Sequence, residues 1–153
     1  MNARRVLAPV VLLVLVVLII AIVTPKYKAW KESQQPVEAT PHVEVFAKMG
    51  YTEAKGAAAR QGKLLLVDAT ATWCGPCQLM EETTWVDPQV IEWINERALA
   101  VQLDVDQDVA GAKELAIRAM PTVILMKDGR EIARSVGYLD GPQLRQWLDK
   151  AAG

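Results

Sequence analysis

Cysteine and histidine are scarce in this 153-residue chain: there are two of the first, Cys74 and Cys77, and one of the second, His42. A closed zinc site takes four Cys or His ligands, so these three fall short of one. His42 stands at the end of a polar stretch and reads as a solvated residue rather than a ligand. A framework of structural disulfides is equally out of reach, because one bridge between cysteines so close together removes little entropy from the unfolded chain. Clustered basic residues, the footprint of nucleic-acid binding, are missing too. The formal net charge is −1, and from Pro41 onward 12 Lys and Arg stand against 16 Asp and Glu, a net of −4. There are no internal repeats and no low-complexity tracts. The length leaves room for one membrane element and one domain of ordinary size.

What is present is concentrated in Trp73-Cys74-Gly75-Pro76-Cys77, which follows the apolar run Leu64-Leu65-Leu66-Val67. A Cys-x-x-Cys pair at a strand-to-helix junction puts its first sulfur over unsatisfied backbone N–H groups and the positive end of the helix dipole. That position favours the thiolate, which is the nucleophile. The second sulfur, one turn on, can attack a mixed disulfide formed by the first and release the partner reduced. The spacing therefore points to a dithiol that opens and closes. Spacing alone also leaves a metal site, a static disulfide or two inert buried thiols as alternatives.

Residues Val6–Val23 carry no charge over about 18 positions, which at ~1.5 Å per residue nearly spans a hydrocarbon core of about 30 Å. The sequence predicts a single transmembrane anchor over 6–23, behind a short basic tail at 1–5. A cleaved signal peptide is the alternative, although its apolar region is normally only about 7–15 residues long and Thr24-Pro25-Lys26-Tyr27-Lys28 offers no clean small-x-small site. Tyr27 and Trp30 fit an interfacial belt. Arg4 and Arg5 nearly balance Lys26, Lys28 and Lys31. A short tail that stays inside then places the following domain outside the cytoplasm. Residues 24–42, polar and interrupted by prolines, read as an extended tether.

Beyond the tether, residues 43–153 read as one domain. Helical and strand patterns alternate. A helix over Thr52–Gln61, capped by Thr52, stops at Gly62. A buried strand over Leu64–Ala69 leads into a helix opened by the Cys motif and running to about Thr84. Asp87-Pro88 starts the next helix, with Asp as N-cap and Pro at the first helical position. Then come a strand over Leu99–Val105, a helix over Val109–Ile117 and a strand over Thr122–Met126. The turn Lys127-Asp128-Gly129-Arg130 leads to a return strand over Glu131–Val136, and Pro142–Ala151 closes the domain as a helix. Trp85 and Trp93, on short apolar helix faces, read as core. This order implies a three-layer α/β/α domain around a mixed sheet, with one antiparallel hairpin at its end.

The succession Asp68, Trp73-Cys74-Gly75-Pro76-Cys77, Met120-Pro121-Thr122, Lys127-Asp128-Gly129 and Val136-Gly137 resembles the thioredoxin family, from about Leu64 to the C-terminus. The phrase Thr83-Thr84-Trp85-Val86-Asp87-Pro88-Gln89-Val90 and the closing Gly137-Tyr138 are more similar to the thioredoxin-like domain of DsbD, the bacterial transmembrane disulfide reductase, and to related membrane-anchored thioredoxins. The resemblance implies a thioredoxin-like fold and a thiol–disulfide oxidoreductase that needs no bound cofactor. Cys74 is then the attacking sulfur, Cys77 the resolving one, and together they form the redox-active disulfide. Trp73, Gly75, Pro76, Met120, Pro121 and Thr122 shape the substrate surface, with a cis Met120–Pro121 bond facing the sulfurs. Asp68 accepts and returns the proton of Cys77 through water.

The Gly-Pro spacer is that of thioredoxin, a reducing member near about −270 mV, against about −120 mV for the oxidant DsbA. This favours a reductase acting on disulfide-containing proteins in the periplasm, supplied by an upstream membrane or soluble electron donor. A cytoplasm-facing thioredoxin and a binding or assembly module with a regulatory or idle dithiol are the alternatives. Three departures stand out. Thr70 and Gln102 occupy the places of the family's Trp and Lys beside the buried Asp, and the helix after the Cys pair has no proline kink. Without that Lys, Asp68 lacks its usual cationic neighbour.

Overall fold

The structure, a computed structural model, describes residues 45–153 and, before them, Thr24 alone. The basic tail, the anchor over 6–23, His42 and, apart from Thr24, the tether lie outside the described residues. Among the described residues no helix is long and apolar enough to cross a membrane.

Nine elements follow one another among the described residues: α1 (Tyr51–Gln61), β1 (Leu64–Thr70), α2 (Gly75–Thr83), α3 (Pro88–Arg97), β2 (Ala98–Asp104), α4 (Val109–Glu114), β3 (Thr122–Lys127), β4 (Arg130–Val136) and α5 (Gly141–Ala152). The sheet order is β2-β1-β3-β4. β1 runs parallel to β2 and antiparallel to β3, and β3 and β4 form the expected hairpin. The turn between them places Asp128 at φ 50° and Gly129 at φ 73°, a left-handed pair that the Asp-Gly dipeptide accommodates.

Side chains alternate across the sheet with the two-residue period of a strand. Leu66, Ala98, Ala100, Val123 and Leu125 pack against Met80, Trp85, Val90, Trp93, Ile94, Leu144 and Leu148, the layer formed by α2, α3, α5 and the turn after α2. On the other face Leu65, Val67, Val101, Leu103, Ile124 and Met126 meet Tyr51, Ala54, Ala58 and Leu115. Each fully buried aliphatic side chain in these layers is worth roughly 1.5–3 kcal/mol of transfer free energy, so the two faces rather than helix propensity hold the short helices in place. Trp85 and Trp93 are buried, as read from the sequence.

The caps correct several boundaries. Gly50, in extended backbone and without a side-chain bond, caps α1, so the helix starts one residue before Thr52, the predicted cap. Gly62 ends it at φ 64°. Asp87 caps α3 through the N–H groups of Gln89 and Val90. Helix α4 stops at Glu114 instead of Ile117, because Ala116 takes a left-handed φ of 50°. There Arg134 Nη2, from β4, donates to the Leu115 carbonyl at 2.7 Å, satisfying one of the helix's free acceptors. Helix α5 begins at Gly141, where Asp140 and Gln143 form a reciprocal capping box.

Before α1, the Ala47 N–H donates to the Ala100 carbonyl at 2.8 Å on the outer edge of β2. Phe46 meets Trp85 edge-on, ring centroids 4.9 Å apart. This entry segment covers part of an edge strand that would otherwise expose unpaired backbone groups.

Candidate functional site

The C-terminal end of β1 delivers the chain to the dithiol. After Thr70 the strand ends, the Cys74 N–H donates to the Ala71 carbonyl at 3.0 Å, and α2 begins with Gly75-Pro76. Pro at this first turn costs no hydrogen bond, because its missing N–H would be unpaired there anyway. Cys74 is the N-cap residue, and its sulfur accepts the Cys77 N–H at 3.3 Å. No acidic residue occupies the first turn of α2, so nothing there opposes the positive helix end beneath the sulfur.

Cys74 and Cys77 are joined as a disulfide with an S–S distance of 2.04 Å, and both are buried. They pack with Ala71, while Val105 and Met120 close over them from the ends of β2 and β3. The Met120–Pro121 bond is cis. Its loop is held by Thr122 Oγ1, which donates to the Ala119 carbonyl at 2.7 Å, and by the Gly137 N–H, which donates to the Pro121 carbonyl at 2.8 Å. Thus Met120, Pro121 and Thr122 are brought to the sulfurs from a segment more than forty residues downstream.

Trp73, Gly75 and Pro76 form the exposed rim of the site. Trp73 is 66% exposed, yet its indole is fixed, since Nε1 donates to Asp106 Oδ2 at 2.7 Å. Asp106 is in turn placed by the Asp104 side chain, which accepts its backbone N–H. Gln78 Nε2 ties α2 back to the Thr72 carbonyl at 2.7 Å. The sequence reading passed over Asp106, and its separation of 33 residues from Trp73 left no local signal to find it.

Asp68, on the central strand β1 that leads to the dithiol, is 2% exposed, a buried rather than a solvated strand-end carboxylate. Gln102 stands opposite it in the β1–β2 register, and Gln102 Nε2 donates to Asp68 Oδ2 at 3.3 Å. The same amide nitrogen lies 3.4 Å from Glu81 Oε1 on α2. Burial pushes the Asp68 carboxyl up from 3.8 to about 7, against the Gln102 hydrogen bond, which favours the charged form. A carboxyl titrating there can take a proton from a thiol near neutral pH and give it back. Glu81 escaped the sequence reading, although a position four residues after Cys77 on the same helix was a usable signal. Among the described residues no group of three or more His, Cys, Asp or Glu could hold a metal ion.

The thioredoxin-like domain family matches residues 51–152 of this chain. The chain is 40% identical over 95 residues to a thioredoxin of Echinococcus granulosus, an alignment covering 62% of this chain and 85% of that protein. It is 33% identical over 87 residues to a thioredoxin of Chlamydia muridarum, covering 57% and 81%. Among solved structures, a mutant thioredoxin from Halobacterium salinarum superposes with a TM-score of 0.55 at 29% identity, covering 69% of this chain and 88% of that one. The thioredoxin NaTrxh from Nicotiana alata gives 0.54 at 32% identity, covering 66% and 84%.

Proposed function

This chain belongs to the thioredoxin-like domain family and is a thiol–disulfide oxidoreductase; we propose that it runs this chemistry in the reducing direction, on protein disulfides, from a membrane tether. The observation that carries the reading is the Cys74 sulfur at the helix N-terminus, receiving the Cys77 N–H, with Asp68 buried on the strand that leads to the pair.

In the reduced protein the Cys74 thiolate attacks one sulfur of a client disulfide. A Cys74–client disulfide forms and the other client sulfur leaves as a thiolate. Cys77 then loses its proton to Asp68 and attacks Cys74 Sγ, releasing the second client sulfur and closing the Cys74–Cys77 bridge. The client gains two electrons and, on protonation of its thiolates, two protons. Gly75-Pro76 supports the reducing direction by its identity with the spacer of thioredoxin. Trp73, Pro76 and the Met120-Pro121-Thr122 loop offer the surface on which the client chain rests.

The membrane tether rests on the uncharged stretch Val6–Val23, and a short N-terminal tail that stays inside supports a domain outside the cytoplasm. There a spent disulfide needs an electron donor in or at the membrane, as in the DsbD-like layout that the segment Thr83–Val90 resembles. The full chain in detergent should reduce insulin disulfides with a chemical reductant, and Cys74→Ser should abolish this. Cys77→Ser should instead accumulate mixed disulfides with clients on non-reducing gels. A rate in the unmodified chain no higher than that of Cys74→Ser and of the chemical reductant alone would leave only a binding module. Protease access in intact cells tests the placement, and a protected domain overturns it.

A further inference from the structure

Two residues along β1 from Leu66, and so on the same face of the sheet, stands Asp68. Leu66 packs in the layer that contains Met80 and Trp85, so the carboxyl is on the side of the sheet to which Trp85 belongs. Two side-chain polar atoms among the described residues are buried without a hydrogen-bond partner: Asp68 Oδ1 and Trp85 Nε1. One is an acceptor and the other a donor that can do nothing else. Native proteins rarely leave such groups unmatched. The indole is well anchored for the task. The Trp85 backbone N–H donates to the Met80 carbonyl at 3.0 Å, Phe46 supports the ring from its edge, and Thr84 Oγ1 next to it donates to the Leu139 carbonyl at 2.6 Å.

We infer that Trp85 is a positioning residue of the redox centre, its indole N–H closing onto Asp68 Oδ1 when the carboxyl is ionised and relaxing when the carboxyl takes up a proton. The inference rests on Asp68 as the proton acceptor for Cys77. Burial raises the Asp68 pKa, the Gln102 hydrogen bond opposes the rise, the Glu81 charge adds to it, and the Trp85 N–H opposes it in turn. Other elements facing the carboxyl bring no charge of their own: β3 contributes Val123 in register, β2 the neutral Gln102, and the bridged cysteines do not titrate. Glu81 on α2 is the charged group that faces it. With two neutral donors the carboxylate is held by dipoles alone, which keeps its acidity near neutrality where a cation would depress it. The two orphaned atoms thus read as an open hydrogen bond waiting on ionisation.

The test follows the five indole N–H resonances of the oxidised full chain in detergent by NMR across a pH titration, assigning one by Trp85→Phe. The Trp85 resonance should shift with the midpoint of Asp68 and stay flat in Asp68→Asn. In Trp85→Phe the Asp68 carboxyl resonance should titrate about one unit higher. A pH-independent Trp85 resonance in the unmodified chain, or an unmoved Asp68 midpoint in Trp85→Phe, overturns the inference. Should Trp85→Phe fail to fold, selective labelling of tryptophan in the unmodified chain and in Asp68→Asn decides it without the third arm. Full disulfide-reduction rate in Asp68→Asn overturns the proton-acceptor reading separately, because the resonance is read without turnover.

Discussion

Asp68 and Gln102 stand opposite one another on parallel strands, and the Gln102 amide nitrogen is shared between Asp68 Oδ2 at 3.3 Å and Glu81 Oε1 at 3.4 Å. One neutral side chain thereby couples a buried carboxyl to an exposed one. The arrangement differs from a lysine at the same place, which would form an ion pair with Asp68 and hold it charged.

The first prediction concerns stability and pH. The native state keeps the Asp68 proton up to about 7, whereas the unfolded chain releases it near 3.8. Between those values the native state binds more protons, so stability falls as pH rises through this window and levels off above it. The difference amounts to roughly 4 kcal/mol at most. Asp68→Asn should lose most of this slope and exceed the parent in urea midpoint at about pH 8. A parent whose midpoint rises between about pH 5 and about pH 8, with Asp68→Asn following the same curve, would contradict a buried neutral carboxyl.

Gln102→Lys places a cation against Asp68. The Asp68 midpoint should drop by one unit or more, and the pH profile of disulfide reduction should move down with it. Carboxyl NMR together with initial rates at several pH values checks both shifts, and an unmoved midpoint argues against the Gln102 contact.

Trp73→Phe removes the hydrogen bond to Asp106 while keeping an aromatic ring at an exposed position. Stability should stay within about 0.5 kcal/mol of the parent. The kcat/KM for insulin reduction should fall about five-fold, some 1 kcal/mol of lost positioning. Asp106→Asn should produce a smaller loss of the same kind; an unchanged kcat/KM in both variants would show that the tether does nothing for the client.

Gly141→Ala tests a close approach between helix ends. A Cβ there would lie 2.3 Å from Asp87 Oδ2 and displace the side chain that caps α3. The cost should reach about 1 kcal/mol or more, as for loss of a cap. Combined with Asp87→Ala, the two losses should add to less than their sum in urea unfolding, and simple additivity would separate the two effects.

Much of this architecture was legible because its signals are local. Asp87-Pro88 announced a capped helix, Asp128-Gly129 a tight hairpin, and the apolar runs at Leu64 and Thr122 the central strands. Boundaries failed where backbone outran side-chain signal. Gly50 caps α1 without a side chain to betray it, and the left-handed Ala116 ends α4 where apolar spacing continued to Ile117. The capping box at Asp140 and Gln143 was readable from its spacing and was overlooked in favour of Pro142. Within the site, Cys74, Cys77 and Asp68 stood out by residue type and context. Asp106 and the open face of Trp85 did not, since each depends on a partner that only the folded sheet brings near.

The entry segment has a mechanical meaning. A load pulled along the chain from before residue 45 reaches the domain at the rim of the sheet, through the Ala47–Ala100 backbone bond and the Phe46 ring lodged against Trp85. Peeling at that rim would disturb Trp85 early, so tension on the incoming chain and the acidity of Asp68, whose pKa the Trp85 side chain lowers, share one aromatic contact.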